Sequence, residues 1–493
     1  MKKDPPAMTI AKIQKYLEEV ALLNNASALA HWDMETMMPS EGIESRAKLL
    51  SYLGSKSHGL STSKKYKALL DATKKSKLSP LEKKMLKELL WDFDLNNALP
   101  AKHVEEMSLA STTAHHVWAQ ARKNNDWDTF FPHLQKLIDL KKREATYYKA
   151  KTPYDALIRQ FDKNFTVEDI TKIFSELRKG LTKLAKQVND DGRFVKIKDL
   201  SAPFAIEPQV ELSKYITGIF GLPAGQSRLD ISVHPFSTTI APKDFRITTR
   251  YNEKDLDSFG STMHEVGHAL YEAGLPRDKW NGLPLAEAAS LSVHESQSRF
   301  WENIIGRSRE FCHFIHPKMK ELFPTQMKGI SPEKLFLIMN KSVPNLIRVE
   351  SCELYYNLHV IIRFEIEKMI FNEGMDPFDI PYMWNELYEK YLGVRPKTVA
   401  EGAMQDSHWA GGAFGYFPTY TLGNLISGSL YQKMKKEVKI FDQDVGRGEF
   451  SRILTYLREN IHEHGRTLDL KNLVGGEIHT KDYLNYLKEK FDV

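Results

Sequence analysis

Apolar residues recur at helical spacing along most of the 493-residue chain. From Thr9 to about Leu60, Ile10, Ile13, Tyr16, Leu17 and Val20 mark one face of a helix. The stretch H-W-D-M-E-T-M-M-P-S at 31–40 interrupts it, because Pro39 lacks an N–H and crowds the preceding turn. Residues 62–190 alternate helical stretches with short polar breaks such as Ser79-Pro80 and Thr152-Pro153. Leu81, Met85, Leu86, Leu89 and Leu90 form one stripe, and Ile170, Ile173, Phe174, Leu177, Leu181 and Leu184 another. Such stripes read as core.

The texture changes at Asp190. Residues 191–252 carry Gly192, Pro203, Pro208, Gly221, Pro223, Gly225, Pro235 and Pro242, and two runs rich in β-branched and aromatic residues, 230–239 and 245–251. They predict a small antiparallel sheet within about 190–252. Its edge is expected to hold a peptide by β-addition. Helical spacing then returns over 285–305, 332–341, 347–372 and 379–392. A Gly- and aromatic-rich loop at 402–423 precedes further amphipathic helix. There is no repeat, low-complexity segment or long linker. The expectation is an all-α fold: one large helical domain over 1–493, two lobes around a deep cleft, and the small sheet beside the helix considered next.

That helix is S-T-M-H-E-V-G-H-A-L-Y-E-A-G, residues 261–274. Asp255, Asp257 or Ser258 can cap it, and Gly274 with Pro276 stops it. Phe259, Met263, Val266, Ala269 and Leu270 give it apolar faces. His264 and His268 are four apart, so their imidazoles lie about one turn apart on one face, close enough to share a metal ion. Glu265 beside them can reach a water on that ion. H-E-x-x-H on a helix is the pattern of zinc peptidases, with two His ligands and a Glu general base. Alone it is weak in a chain with 17 His, where two satisfied core histidines would look the same.

A catalytic zinc takes three protein ligands and keeps an open position. The metzincin extension, with a Gly and a third His after the motif, is excluded by Tyr271 and Gly274. A carboxylate from the next helix is the alternative, and Glu287, Glu295 and Glu302 all lie there. Glu295 sits in an otherwise apolar stretch, where a carboxylate needs a partner. A metal would serve, but so would Arg299 one turn on, and the pattern leaves both open.

Composition narrows the classes. Hydrophobic residues make up 42% and charged residues 27%, ordinary for a globular protein with a real core. Net charge is +5, and the clusters Lys74, Lys75, Lys77 and Lys433, Lys435, Lys436 read as solvated helix faces without a nucleic-acid-binding motif. Two cysteines, Cys312 and Cys352, exclude a disulfide framework or a Cys-based zinc site. The N-terminal M-K-K-D-P-P lacks a signal-peptide core, and no apolar run is long enough for a membrane span. A cytoplasmic protein with reduced thiols is expected.

Several stretches together resemble the thermostable carboxypeptidase Taq family of metallocarboxypeptidases. They are H-P-F at 234–236, D-F-R-I-T at 244–248, H-E-V-G-H at 264–268, H-E-S-Q-S-R at 294–299, I-R-V-E at 347–350 and G-A-M-Q-D-S-H-W at 402–409. F-G-Y-F-P-T-Y-x-L-G-N at 414–424 and the early W-D-M-E-T-M-M-P also match. The resemblance implies an all-α, cleft-bearing, gluzincin-like fold, usually a homodimer. It implies removal of C-terminal residues from peptides with a free C-terminus, with broad specificity, a terminal proline generally excepted. It places Zn²⁺, or Co²⁺ as an alternative, on His264, His268 and Glu295, with Glu265 as base. Arg348 becomes the candidate for the substrate carboxylate, since a bidentate guanidinium suits it. His408 and Tyr420, read as loop residues, are candidate oxyanion or carboxylate donors, and His234 a candidate cleft residue.

The family's I-R-x-x-A-D-E reads I-R-V-E-S-C-E here. Cys352 in place of that Asp is expected to change the support of Arg348 or the specificity, whereas Val266 on a buried helix face is expected to be tolerated. Two other readings compete. A zinc oligopeptidase or dipeptidase on a related helical scaffold would not need Arg348. A non-enzymatic binding protein with a relic site would not need Glu265, since a structural zinc uses no base.

Overall fold

The computed structural model describes residues 8–493, and the M-K-K-D-P-P stretch lies outside them. Helix Met8–Thr36 turns at Pro39 and a 3-10 turn, Ser40–Gly42, into helix Ile43–Ser61. Several later helices start on side-chain caps. Ser79 accepts from the Glu82 N–H to open Pro80–Ala98, and Thr166 accepts from the Asp169 N–H to open Val167–Asp191, each with the reciprocal bond of a capping box.

The buried apolar side chains form two clusters. The smaller joins Ile10, Ile13 and Leu17 to Tyr66, Leu89 and Phe93, and takes in Trp280, Leu283 and Leu285 from the turn after the motif helix. The larger runs through the rest of the molecule. At the seam opens a cavity of about 540 Å3, between the N-terminal helices and the sheet, with Glu272 and His294 in its wall.

The sheet has three strands, β1 (Ser227–Ile231), β2 (Ser237–Ala241) and β3 (Asp244–Thr249), in the order β1-β3-β2. It is mixed rather than wholly antiparallel, since β1 runs parallel to β3 with Ser227 opposite Phe245. Pro235 splits the 230–239 run, so the chain turns there and forms a hairpin from β2 into β3 through Lys243 at φ 68°. That leaves β3 central and β2 as an outer strand lining the cavity. The sheet grips the motif helix, Asp257–Gly274, at both ends. The Thr249 and Ser261 hydroxyls lie 2.8 Å apart, and Thr239 donates to Glu272 Oε2 at 3.0 Å.

The 285–305 stretch is three pieces rather than one helix: a 3-10 turn Pro284–Ala286, an α-helix Leu291–Arg299 and a π-helical turn Phe300–Ile305. Ser290 caps the α-helix on the Val293 N–H, which leaves Glu287 outside it, paired with Arg466 at 2.9 Å. Two glycines allow the carboxylate-bearing helix its close approach. A Cβ on Gly267 would lie 2.7 Å from Ser298 Cα, and one on Gly423 would lie 2.9 Å from Glu295 Cβ. Gly423 belongs to helix Pro418–Glu437, so Tyr420 stands in a helical first turn and not in the loop. The 347–372 stretch divides into a 3-10 turn Arg348–Glu350 and helix Glu353–Asn372. Among the described residues no helix is long and apolar enough to cross a membrane, and Cys312 and Cys352 are both free.

Candidate active site

The two helices bring His264, His268 and Glu295 together, with one donor atom of each within 4.8 Å of the others. Glu295 Oε2 lies 3.6 Å from His264 Nε2 and 3.5 Å from His268 Nε2. Each imidazole is fixed from behind. His264 Nδ1 lies 2.9 Å from Glu302 Oε2, and His268 Nδ1 donates to the His294 carbonyl at 3.1 Å. These bonds put the proton on Nδ1 and aim the Nε2 lone pairs at the centre. Burial, helped by the neighbouring histidines, holds His268 well below its ordinary value, so it is neutral. Two imidazole lone pairs and a carboxylate oxygen, all oriented by second partners, fit a divalent cation.

The surrounding charges are ordered. Burial alone would raise Glu302, but Arg299, the His264 bond and Arg307 hold it well below the carboxylate range. Glu272, bonded to His294 Nε2 at 2.9 Å and paired with Arg277, stays ionised at about 2, because Arg277 and His294 outweigh burial. Glu265 is 6% exposed. Burial, opposed by His264 and reinforced by the Glu295 charge, pushes it up to about 7. A group poised there can take and return a proton near neutral pH. Glu295 also carries the bond to Arg299, at 2.7 Å, so pairing with Arg299 and a place in the His264–His268 donor group go together.

A second cluster lies beyond Tyr356. Arg348 is 4% exposed, a buried group rather than a surface one. Its Nε and Nη2 donate to Asp406 Oδ1 at 3.1 and 2.9 Å, and its Nη1 to the Tyr356 hydroxyl at 2.7 Å. Arg363, fully buried, donates to Asp406 Oδ2 at 2.6 Å and to Gln405 Oε1 at 2.8 Å. Burial opposes the Asp406 charge, yet the two guanidiniums hold it far below the usual range. Two cations thus share one carboxylate. Tyr420 lies under Arg348, 4.9 Å from ring centre to guanidinium, and its hydroxyl is 3.1 Å from His408 Nε2. Burial and Arg348 pull His408 down to about 4, so it is neutral, and its buried Nδ1 has no hydrogen-bond partner among the described residues.

Of the residues picked from sequence, His264, Glu265, His268 and Glu295 meet at the first cluster, and Arg348, His408 and Tyr420 at the second. His234 is exposed on the turn between β1 and β2, where its carbonyl accepts from Ser232 at 2.6 Å, and no side-chain contact carries it to either cluster among the described residues. Asp406, Arg363, Tyr356 and Glu272 were not picked. Asp406 had a signal, an acid beside Gln405 and His408 in a Gly-rich segment; the others look like ordinary helix residues. Cys352 does not touch the guanidinium. It stands at the N-cap of helix Glu353–Asn372 without a side-chain cap bond, its Sγ 3.6 Å from Ser342 Oγ. Replacing Asp by Cys at this position removes a good cap and leaves Arg348 its own partner, Asp406.

Known proteins resemble this chain along nearly its whole length. Residues 12–491 match the carboxypeptidase Taq (M32) metallopeptidase family. The chain is similar to carboxypeptidase 1 of Bacillus subtilis, 39% identical with 96% of each chain covered. It is 36% identical to thermostable carboxypeptidase 1 of Pyrococcus furiosus, with 98% of each covered. A structure of the Pyrococcus furiosus carboxypeptidase superposes with a TM-score of 0.96 at 36% identity, over 99% of this chain and 100% of that one. The M32 carboxypeptidase of Deinococcus radiodurans superposes with a TM-score of 0.94 at 34% identity, over 99% and 100%. A metal-dependent peptidase of helical fold, this chain belongs to the carboxypeptidase Taq (M32) metallopeptidase family.

Proposed function

We propose that the protein is a zinc carboxypeptidase that releases single amino acids from the free C-terminus of peptides, with broad side-chain specificity. The observation that carries this reading is the charge imbalance of the second cluster: among the described residues Arg348 and Arg363 share Asp406 as their one acidic partner. A buried cation without full compensation is costly, and the C-terminal carboxylate of a substrate supplies the missing anion. The requirement lies at the chain end and not in a side chain, which favours breadth.

His264, His268 and Glu295 would hold Zn²⁺, with Co²⁺ as an alternative. When bound, the cation supplies polarisation of the scissile carbonyl and acidification of a water. Glu265 takes the proton of the attacking water and gives it to the leaving amine. Arg348 receives the substrate carboxylate, while the Tyr420 hydroxyl and His408 Nδ1 supply polar contacts at the reacting end. The outer strand β2 lines the cavity with His294, which suits an extended peptide upstream of the scissile bond.

The test uses one peptide as free acid and as C-terminal amide, with zinc-loaded enzyme and mass spectrometry. The reading expects the free acid alone to shorten one residue at a time. Internal cleavage of both forms would replace it with an oligopeptidase.

A further inference from the structure

Glu295 uses its two oxygens differently. Oε2 faces His264 and His268 and also accepts from Ser298 Oγ at 3.0 Å. Oε1 is taken by Arg299 Nε at 2.7 Å. The same guanidinium reaches Glu302 Oε2 at 3.2 Å through Nη1, and Glu302 is the carboxylate behind His264. It lies over the Tyr356 ring, 4.4 Å from its centre, and Tyr356 in turn accepts from Arg348. Packing on an aromatic face and two directed bonds leave the guanidinium little freedom.

We propose that Arg299 is a positioning residue of the metal centre: it occupies Oε1 of Glu295, so that only Oε2 is offered to the cation. A carboxylate free to turn would bring both oxygens to a divalent ion and fill a position that a catalytic site keeps open. By gripping Glu302 with the neighbouring arm, Arg299 also steadies the orientation of His264. One planar fork thereby sets two of the three donors, a task a lysine ammonium cannot perform, because it is a point charge without fixed donor directions.

The inference rests on the metal assignment proposed above, and the test separates the two. Zinc affinity is measured by competition with a chromogenic chelator, and cobalt-loaded protein is read by visible absorption, for wild type, Arg299→Lys and His268→Ala. Arg299→Lys keeps the charge, and circular dichroism and melting check its fold. The expected result is zinc binding about 10- to 100-fold weaker in Arg299→Lys, with weaker cobalt bands of higher coordination number. Wild-type affinity and an unchanged cobalt spectrum in a folded Arg299→Lys would overturn the inference and leave the metal site standing. Equal zinc binding by His268→Ala would remove the metal site and the inference with it. X-ray absorption of zinc-loaded wild type needs no variant: one Glu295 oxygen on the metal is expected, and two would overturn the proposal.

Discussion

The two clusters have opposite electrostatic needs. Around the motif helix four carboxyl groups, Glu265, Glu272, Glu295 and Glu302, face three guanidiniums, Arg277, Arg299 and Arg307. Around Arg348 two guanidiniums face one carboxylate. The first region is short of a cation, the second of an anion, and Tyr356 touches both, with Arg299 over its ring and its hydroxyl accepting from Arg348. A peptide C-terminus presents a carbonyl and, one residue further, a carboxylate. If the two clusters act as proposed above, the difference sets both the register and the direction of the substrate.

The comparison predicts separable losses. Glu265→Gln leaves the cation's donors intact and removes the base, so kcat should fall by about 100- to 10,000-fold with zinc stoichiometry unchanged. Retained turnover in a zinc-loaded Glu265→Gln would take this residue out of the chemistry. Arg348→Gln should act on the other side, raising KM for free-acid peptides by about 100-fold while zinc affinity stays at the wild-type value. An unchanged KM would show that the anion is bound elsewhere.

A third effect, on stability rather than turnover, concerns Glu367, which anchors the loop carrying Asp406 and His408. It is fully buried and accepts from Trp409 Nε1 at 2.7 Å, Gly415 N at 2.6 Å and the Tyr154 hydroxyl at 2.8 Å. Burial outweighs these donors and pushes its carboxyl up to about 7 from 4.5. Between those values the folded chain holds a proton that the unfolded chain has lost. The stability this group contributes is therefore full below pH 4.5 and is lost as pH rises through 7. Glu367→Gln stays neutral throughout, so wild type should lose its advantage over the variant from pH 5 to pH 8, by about 3 kcal/mol at most. Parallel melts at the two pH values measure this, and a constant difference would mean that the carboxyl is ionised throughout.

The same division explains what the sequence made visible. The candidate metal cluster comes from two helices close in sequence whose residues repeat at helical spacing, His264 with His268 and Glu295 with Arg299, so a short-period pattern exposes it. The helical stripes and the Pro39 break were readable for the same reason. The Arg348 cluster draws on a 3-10 turn, the middle of a buried helix, a loop and the start of another helix. Arg363 and Tyr356 carry no local sign of their role, because what sets it is a partner some forty residues away or on another element. The sheet's mixed pairing escaped for a related reason: which strand becomes central depends on where Pro235 turns the chain. The placement of Tyr420 escaped because a Pro at the first helical position looks, in sequence, like the end of a loop.

Gly423 bears no functional group, yet it stands against the stem of Glu295 at a distance that leaves no room for a methyl. The donor set is thus defined partly by empty volume, as the thickness of a shim defines a fit. Bulk added at Gly423 would press on the stem of Glu295 without altering any atom that binds, donates or accepts.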